Sequence, residues 1–464
     1  MKLNLDDYKH IHCLGIGGIG LSAVAKILKS RGFKVSGTDI KPGAVTEQLE
    51  AEGIKIYTEH FAENLGDADL VVYSNAVSAE NPEIREAERR GIPVVSRAEA
   101  LGAIMDGYGV SIAVSGTHGK TTTTSMVSLI LENAGLSPTI LVGGVLTKFG
   151  GNVSIGSGDY FVTEACEYMD SFLCLRPRIE IILNIDSDHL DYFKDIEHIT
   201  RSFASFASFV PKDGLVVAYD ANPFVKSITE KLECRVLSFG FSESSDFYAK
   251  NIKFNGHGRP SFDLYKRGEL LGNIQLAVPG EHNVSDSLAA AATCMDLGVN
   301  FDIIRNTLEA FTGTQRRFDI IGTISAGASI IDDYAHHPTE ISATLSAAAK
   351  MPHSKIWCLF QPHTYTRTLA LFDRFADAFE HADIIVLAEI YAARENNIYK
   401  LSSEKLAEEI KKQHPGKEVL FVPDFDDMAE LVLSRAEPGD LVITMGAGDI
   451  YKVGELILRK DAAK

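Results

Sequence analysis

The sequence has few cysteines and no pattern that would use them together. The six cysteines among its 464 residues include no Cys-x-x-Cys pair. A zinc site or a disulfide framework is therefore not expected, and the thiols are predicted to be reduced, as in a cytosolic protein. We find no signal peptide and no apolar run long enough to span a bilayer. The expectation is a cytoplasmic protein without membrane insertion.

Positive charge is also in short supply. Lysine and arginine number 45 against 63 aspartate and glutamate residues, and the formal net charge is −18. This balance argues against a nucleic acid or an anionic membrane as partner. Any phosphate-binding site must therefore be built locally, from a few cationic side chains, backbone N–H groups and metal ions.

The length and the hydrophobic content predict several domains. A chain of 464 residues with 45% hydrophobic residues can fill about three cores. The α/β pattern restarts after residues 106–109, and a polar, basic stretch at 313–319 separates two further patterned regions. We therefore predict an α/β protein with domains at 1–107, 108–318 and 319–464.

A glycine-rich loop lies between a predicted strand at 109–114 and a predicted helix at 121–132. Glycines let backbone N–H groups approach phosphate oxygens, and the helix N-terminus adds partial positive charge. Lys120 is expected to reach the β- and γ-phosphates of a nucleotide, and the Thr121 hydroxyl to bind Mg²⁺. The usual motif has glycine where this chain has Val114, and an ordinary glycine-rich turn is the alternative. The residues expected to bind the nucleotide are Gly116, Thr117, His118, Gly119, Lys120, Thr121 and Thr122.

A second glycine loop lies near the start of the chain. It follows a predicted strand at 10–16, precedes a helix at 21–29, and is followed by Asp39 at the end of the next strand. This fingerprint is typical of a diphosphate bound at a helix N-terminus, and a nicotinamide dehydrogenase is one interpretation. That interpretation leaves the other glycine loop unexplained. The loop glycines are Gly15, Gly17, Gly18 and Gly20.

Two possible metal ligands follow predicted strands in the middle of the chain. Glu164 ends a strand at 159–163, and His189 follows one at 178–185. Ligands gather at the carboxyl ends of strands in open α/β sheets, so both side chains could hold a divalent cation beside the phosphates. Imidazole is an unusual ligand of Mg²⁺, which makes Mn²⁺ possible. A helix cap and a surface histidine are the alternative.

Short strands with a hairpin near 266–269 are predicted before residue 280.

The last third of the chain predicts another α/β unit, with polar residues again after strand ends. His336 and its neighbour follow a strand at 329–331, and His363 and Arg367 follow one at 355–360. These side chains are expected to face whatever docks at that edge of the sheet. The histidine pair alone could be two helix caps.

Taken together, these motifs resemble the Mur ligases. The resemblance rests on Gly-Thr-His-Gly-Lys-Thr-Thr at 116–122, Gly-Glu-His-Asn at 280–283, Arg-Arg-Phe-Asp at 316–319 and Asp-Asp-Tyr-Ala-His-His-Pro-Thr-Glu at 332–340. It implies a Rossmann-like UDP-sugar-binding domain at 1–107 and a Rossmann-like amino-acid-binding domain at 319–464. Between them, at 108–318, it implies a P-loop ATPase-like domain with a mostly parallel sheet and added antiparallel strands.

The resemblance implies an ATP-dependent ligase of peptidoglycan synthesis. The pattern is most similar to family members that join L-alanine to the lactyl carboxylate of UDP-N-acetylmuramate through an acyl phosphate. Such an enzyme needs ATP and Mg²⁺, with Mn²⁺ possible, and acts as a monomer or homodimer. The resemblance makes Thr121, Glu164 and His189 the metal ligands. The catalytic residues that the resemblance implies for this chain are Lys120, Glu164, His189 and Arg317.

The resemblance also assigns the substrate contacts. Asn283 is expected to recognise adenine, Arg317 the ATP phosphates, and Asp333 the ribose. Arg367 is expected to bind the alanine carboxylate through two N–H donors, with His336 and His363 adding one each. The residues expected to bind the UDP sugar are Gly15, Gly17, Gly18, Gly20 and Ser74.

Three positions depart from the family pattern. Asp286 stands where an asparagine is usual, and we expect it to accept from adenine but not to donate. Thr364 replaces a common arginine, and Cys166 a common aspartate. Two other functions stay open at this point. One is a ligase that joins a tripeptide to the same sugar nucleotide, and the other is a non-catalytic nucleotide-binding protein.

Overall fold

The computed structural model describes residues 3–463, which form three successive α/β units, each built on one sheet. The first unit has a five-stranded parallel sheet in the order β3-β2-β1-β4-β5. Its strands are β1 His10–Leu14, β2 Lys34–Thr38, β3 Lys55–Tyr57, β4 Leu70–Tyr73 and β5 Val94–Ser96. Its helices are α1 Ile19–Ser30, α2 Ala44–Ala51, α3 Pro82–Arg90 and α4 Arg97–Met105.

The central unit has a ten-stranded sheet in the order β15-β14-β13-β12-β11-β10-β6-β9-β7-β8. It is parallel except for the β7–β8 hairpin and the ribbon of β13, β14 and β15. Its strands are β6 Val110–Ser115, β7 Thr139–Leu146, β8 Gly151–Ser154, β9 Tyr160–Glu164, β10 Ile179–Ile182, β11 Leu215–Tyr219, β12 Arg235–Gly240, β13 Phe247–Phe254, β14 Pro260–Lys266 and β15 Glu269–Gln275. Its helices are α5 Lys120–Asn133, α6 Ile196–Ala207, α7 Pro223–Thr229, α8 Glu281–Asp296 and α9 Phe301–Glu309.

The third unit has a six-stranded sheet in the order β16-β17-β21-β18-β19-β20, in which only β16 runs antiparallel to its neighbour. Its strands are β16 Asp319–Thr323, β17 Ser329–Asp333, β18 Ile356–Phe360, β19 Ile384–Leu387, β20 Glu418–Phe421 and β21 Leu441–Met445. Its helices are α10 Pro338–Ala349, α11 Tyr365–Ala370, α12 Phe372–Asp377, α13 Ser403–Gln413, α14 Phe425–Arg435 and α15 Tyr451–Ala462.

The composition of the strands explains why the sheets are covered on both faces. Every residue of β1, β10, β18, β19 and β21 is buried, and most are Ile, Val or Leu. Such continuous apolar runs are typical of parallel strands between two layers of helices. The alanines of α8 let that helix pack closely against α5. Within residues 3–463, no helix combines the length and the apolar composition that a bilayer span requires.

The predicted α/β class and the hairpin near 266–269 are confirmed, the latter as the β14–β15 pair. The sequence analysis missed the β7–β8 hairpin, whose glycines weaken the strand pattern. It also extended the strand after residue 178 too far. That strand ends at Ile182, and residues 183–186 line a cavity instead.

Candidate functional site

The loop between β6 and α5 requires glycine at two positions. Gly116 and Gly119 have φ values of 135° and 86°, which side-chain-bearing residues rarely adopt. A Cβ on Gly116 would lie 2.9 Å from the Leu183 Cβ, and one on Gly119 would lie 2.6 Å from the Asp286 Oδ1. The loop therefore folds close against the segment after β10 and against α8, with Gly119 as the N-cap of α5.

Lys120 begins α5 and turns back toward its own loop. Its Nζ donates to the carbonyl oxygens of Gly116 at 2.5 Å and Thr117 at 3.0 Å. It also donates to both carboxylate oxygens of Glu167, at 2.9 and 3.1 Å. Burial disfavours the ammonium ion, but the charge of Glu167 outweighs that effect and raises the pKa of Lys120. The loop therefore contains a buried, positively charged side chain.

Thr121 and Glu164 each contact β7, at two neighbouring glycines. The Glu164 carboxylate, at the end of β9, accepts the Gly143 N–H at 2.5 Å. A Cβ on the next residue, Gly144, would lie 3.1 Å from the Thr121 Cγ2. The structure therefore brings these two oxygen-bearing side chains to the same strand, beside the glycine-rich loop at 116–119, which we call the phosphate loop. Hydroxyl and carboxylate oxygens are ligands that suit Mg²⁺.

His189 approaches the phosphate loop through Glu167 rather than through Glu164. Its Nε2 lies 4.0 Å from the Glu167 Oε1, and its ring packs on Tyr168 with 4.6 Å between ring centroids. Glu167 is 2% exposed and contacts both Lys120 and His189, yet the sequence analysis did not select it. The sequence feature that could have pointed to Glu167 is its position three residues after Glu164, a predicted metal ligand.

A cavity of about 540 Å³ opens beside the phosphate loop. This volume lies within the usual range for small-ligand sites. Tyr219, Phe241 and Phe311 supply aromatic surface that the sequence analysis did not anticipate. The predicted nucleotide-binding residues that line the cavity are His118, Gly119, Thr121, Thr122, Asn283, Arg317 and Asp333.

Two carboxyl groups in this cavity have raised pKa values. Burial raises the pKa of Asp286 to about 8, so at neutral pH this side chain is protonated and carries an O–H donor. The expectation that Asp286 can only accept hydrogen bonds therefore does not hold. Burial also raises the pKa of Asp333 to about 6, against the nearby charge of Arg317. Asp333 accepts the N–H groups of Phe318 and Ala335 at 2.9 and 2.7 Å.

Two adjacent arginines in the linker face different surroundings. Arg316 belongs to the third unit, where its Nε donates to Asp332 at 2.9 Å and its Nη2 to the Gly446 carbonyl at 2.8 Å. Arg317 instead lines the cavity, and its Nη1 lies 3.8 Å from Glu340. The sequence analysis assigned phosphate binding to Arg317, and its position in the cavity is compatible with that assignment.

The three residues predicted on the amino-acid side lie together. The Arg367 Nη1 donates to the His363 Nδ1 at 3.1 Å, and the His336 and His363 rings are 6.0 Å apart. Burial lowers the pKa of His336 to about 3 and that of His363 to about 4, so both are neutral. The His336 Nδ1–H donates to the Tyr334 carbonyl at 2.9 Å, which leaves Nε2 as an acceptor. The carboxylate-donor role expected of His336 does not fit this geometry, whereas His363 retains an Nε2–H donor.

The central and third units meet at the segment after β10. Asp188 accepts from the Arg367 Nε at 2.9 Å, and both side chains are at least nine-tenths buried. The charge of Arg367 overcomes the effect of burial and holds the pKa of Asp188 far below its usual value. Asp186 accepts from the Thr339 Oγ1 at 2.7 Å and from Arg374 at 3.2 Å. These pairs across the interface bring the residues that are predicted to bind the amino acid toward the loop between β6 and α5.

His118, in the phosphate loop, extends the same interface. Its Nδ1 lies 3.3 Å from the Glu340 Oε1, and its Nε2 lies 3.5 Å from the Asp186 Oδ2. Burial opposes the imidazolium ion, but these two carboxylates raise the pKa of His118 to about 9. His118 and Glu340 are 222 positions apart in the sequence, and Asp186 lies 68 positions after His118 (186 − 118), so spacing alone could not predict these contacts.

The first glycine loop also forms one cluster, which faces the central unit. Gly15 has a φ value of 77°, and a Cβ there would lie 3.2 Å from the Ser74 Cβ. The Gly17 N–H donates to the Asp39 carboxylate at 2.8 Å, and Gly18 is the N-cap of α1. A Cβ on Gly20 would lie 3.2 Å from the Arg97 Cδ. Across the domain boundary, the Asn152 amide donates to the Ile19 carbonyl at 3.1 Å.

Comparison with protein families gives three matches in chain order. Residues 10–108 match the Mur ligase family catalytic domain, residues 114–294 the Mur ligase middle domain, and residues 316–448 the glutamate ligase domain of Mur ligases. Together these matches cover most of the chain.

Individual relatives match over almost the full length. UDP-N-acetylmuramate–L-alanine ligases from Acetivibrio thermocellus and Alkaliphilus metalliredigens are each 49% identical, over 98% and 99% of this chain and 97% and 99% of theirs. A solved UDP-N-acetylmuramate–alanine ligase from Thermotoga maritima superposes with a TM-score of 0.81 at 30% identity, covering 98% of this chain and all of that one. A murein peptide ligase from Psychrobacter arcticus gives 0.71 at 26% identity, covering 97% and 98%. The chain therefore belongs to the Mur ligase family.

Proposed function

We propose that this chain is an ATP-dependent ligase that joins L-alanine to the lactyl carboxylate of UDP-N-acetylmuramate, in the synthesis of peptidoglycan precursors. The observation that carries the proposal is the meeting of three predicted sites at the carboxyl end of the central sheet. Lys120 and Glu167 lie at the phosphate loop, the first glycine loop faces the central unit through Asn152, and Arg367 is held at the central unit by Asp188.

The residues around the phosphate loop suit activation of a carboxylate. A carboxylate is a poor electrophile, so its oxygen would first take the γ-phosphoryl group of ATP, with ADP as the leaving group. The alanine amine would then attack the acyl phosphate, form the amide and release phosphate. Lys120 would exchange its bonds to Glu167 for phosphate oxygens, which stabilises the charge that gathers at the transferred group. Thr121, Glu164 and His189 would hold a divalent cation, Mg²⁺ or Mn²⁺, which neutralises phosphate charge when bound.

The cavity of about 540 Å³ is proposed as the nucleotide site. Asn283 and the neutral Asp286 line it with groups that can both donate and accept, as recognition of an adenine edge requires. Arg317 would reach the phosphates and Asp333 the ribose. Arg317 would thus serve, with Lys120, Glu164 and His189, in catalysis.

The third unit supplies the proposed alanine site. Asp188 fixes the Nε edge of Arg367, and the His363 Nδ1 accepts from Nη1, so the guanidinium is oriented before substrate binds. Arg367 and the His363 Nε2–H would bind the alanine carboxylate. The free Nε2 lone pair of His336 would accept a hydrogen bond from the alanine amine. We further propose that the enzyme works in the cytoplasm, as a monomer or homodimer.

A phosphate-release assay tests the proposal. With ATP and UDP-N-acetylmuramate, L-alanine should support turnover faster than L-alanyl-D-glutamyl-diaminopimelate at equal concentration, because Arg367 and His363 are placed for a single small amino acid. Serine and glycine should be used weakly, since one methylene in a pocket changes binding by roughly 1–3 kcal/mol. The L-alanine ligases that match almost the whole chain at 49% identity support this order, as does the TM-score of 0.81 to a solved alanine ligase against 0.71 to a murein peptide ligase.

The variant Arg367→Ala tests alanine binding in the same assay. It should raise the KM for alanine strongly and the KM values for ATP and the UDP sugar much less. Faster turnover with the tripeptide would overturn the alanine assignment and leave the acyl-phosphate chemistry standing.

A further inference from the structure

Three potential metal ligands meet where the phosphate loop, the segment after β10 and the start of α10 come together. The Asp186 Oδ2 lies 3.5 Å from the His118 Nε2 and 3.9 Å from the His337 Nδ1. One ligand atom from each of these residues falls within 4.8 Å of the others. These residues are separate from Thr121, Glu164 and His189, to which the ATP-bound cation is assigned above.

Both imidazoles are arranged as metal-binding histidines usually are. In such sites, one ring nitrogen binds the metal and the other donates its hydrogen to a carboxylate or a carbonyl group. The His337 Nε2 donates to the Ser187 carbonyl at 2.9 Å, so its Nδ1 carries the lone pair. That lone pair accepts the Thr339 N–H at 3.3 Å at the N-cap of α10, a bond that a metal ion at Nδ1 would replace. The His118 Nδ1 lies 3.3 Å from the Glu340 carboxylate, which leaves Nε2 facing Asp186.

The surroundings of the His118 Nε2 also favour a bound cation. This atom is buried and has no hydrogen-bond partner of acceptable geometry among residues 3–463. A buried polar atom without a partner is costly, and each such case in a protein calls for an explanation. A bound cation at this position would satisfy it.

We propose that His118, Asp186 and His337 form a binding site for a divalent transition-metal ion of the Zn²⁺ type. Two imidazole nitrogens and one carboxylate oxygen are a typical ligand set for Zn²⁺, with a fourth position left to water. Metal–ligand bonds of about 2.0–2.1 Å in a tetrahedron place ligand atoms about 3.4 Å apart. The two distances from the Asp186 Oδ2, 3.5 and 3.9 Å, exceed this spacing by at most about 0.5 Å, whereas the two imidazole nitrogens, which lie within 4.8 Å, would have to approach each other by up to about 1.4 Å.

The remaining contacts of Asp186 are compatible with this role. Its Oδ2 accepts from the Thr339 Oγ1 at 2.7 Å, and its Oδ1 accepts from the Ser187 N–H at 2.7 Å. Arg374 contacts the two oxygens at 3.2 Å from the exposed side. Without a metal, a proton on the His118 Nε2 supplies the positive charge between the carboxylates; the cation would replace that proton.

The proposed metal site lies between two units of the protein. His118 and Asp186 belong to the central unit and His337 to the third unit. A bound ion would therefore tie the phosphate loop to the unit that is proposed to carry the alanine site. This inference goes beyond the proposed ligase reaction and does not depend on it.

Cobalt binding tests the proposal without using activity. Co²⁺ is titrated into nucleotide-free, full-length protein carrying His189→Ala, so that the ATP-linked metal site does not contribute. We expect one equivalent to bind, with the visible absorption bands of a four- or five-coordinate nitrogen and oxygen site. Adding His337→Gln or Asp186→Asn should weaken binding at least tenfold. The matched control is His353→Gln, because that exposed ring has its single hydrogen bond within residues 3–463 to the Met351 carbonyl.

Three outcomes would overturn the proposal. One is the absence of visible bands in the His189→Ala protein, which would leave the cluster as a proton-linked ion pair. Another is unchanged affinity in both His337→Gln and Asp186→Asn. The third is a near-ultraviolet thiolate-to-cobalt band, which would assign the ion to the exposed Cys166 instead.

Discussion

At the scale of single residues, the Lys120–Glu167 pair determines what the phosphate loop can do. Both side chains are largely buried, and Lys120 has no other carboxylate hydrogen-bonded to it in the part of the chain that the structure describes. A cation in such a site is screened little by water, so its effect on a charged transition state is large. Glu167 neutralises the cation in the absence of nucleotide.

Lys120→Ala should therefore abolish phosphate release and leave binding of the UDP sugar close to normal. Loss of this cation should cost on the order of 3 kcal/mol or more of transition-state stabilisation. Steady-state phosphate release and a separate titration with UDP-N-acetylmuramate measure the two effects, and Lys412→Ala on the exposed face of α13 is the control. Retention of more than about a tenth of the activity, which is a loss under about 1.4 kcal/mol, contradicts the assignment.

Asp286 gives a second prediction at this scale, on stability. Its pKa is raised by burial from 3.8 to about 8, so the folded protein holds a proton that the unfolded chain has lost. The stability from this proton is complete below about pH 4 and is lost as the pH rises through about 8. Asp286→Asn removes this loss.

The melting temperature of Asp286→Asn, relative to the wild type, should thus be higher at pH 9 than at pH 5, by roughly 2 °C or more. Differential scanning calorimetry of the nucleotide-free proteins at both pH values measures it. Glu180, whose pKa is also raised to about 8 by burial, is present in both proteins and cancels in the comparison. An equal difference at the two pH values would show that Asp286 is ionised in the folded protein.

At the scale of elements, the carboxyl ends of parallel strands collect the candidate ligands. Glu164 ends β9, His189 follows β10, and the phosphate loop follows β6 between them. Glu164→Gln and His189→Ala should each raise the Mg²⁺ concentration that gives half-maximal phosphate release. The Mg²⁺ dependence of the rate at saturating ATP measures this, with Glu409→Gln on α13 as control. Unchanged metal dependence in both variants would rule them out as ligands.

The same scale shows what the sequence could predict. Strand, glycine loop and helix are local patterns, so both loops and the residues at strand ends could be located without a structure. The first loop alone also fitted a dehydrogenase, and family membership excludes that interpretation. The β7–β8 hairpin was missed because its Gly-Gly and Lys-Phe-Gly-Gly stretches carry no alternating pattern. The roles of Glu167, Asp186 and Asp188 depend on neighbours distant in sequence, and no local pattern encodes those neighbours.

At the scale of the whole molecule, the third unit is held against the central unit by charge pairs of unequal burial. Asp188 and Arg367 are about nine-tenths buried, whereas Arg374, which pairs with Asp186, is 44% exposed. An exposed pair contributes little, but removal of one partner of a buried pair leaves an uncompensated charge, which costs about 3–5 kcal/mol. The Asp188–Arg367 pair should therefore dominate this contact.

Asp188→Asn should accordingly shift the protein toward arrangements in which the third unit is separated from the central one. Small-angle X-ray scattering of the nucleotide-free protein should show a larger radius of gyration, whereas Arg374→Ala should show little change. Addition of salt should affect the wild type only slightly, because buried pairs are weakly screened. A variant with the wild-type scattering profile would mean that other contacts hold the two units together.

The adjacent arginines of the linker, Arg316 and Arg317, limit the insertions and deletions that this part of the chain can accept. Loops between domains usually tolerate insertions and deletions. Here Arg316 is fixed to Asp332 and the Gly446 carbonyl, while the next residue lines the cavity. Adding or removing one residue between Arg316 and Asp332 would separate this guanidinium from its carboxylate or move the neighbouring Arg317 out of the cavity. Natural variants of this chain should thus conserve the spacing from Arg316 to Asp332 even where the residues between them change.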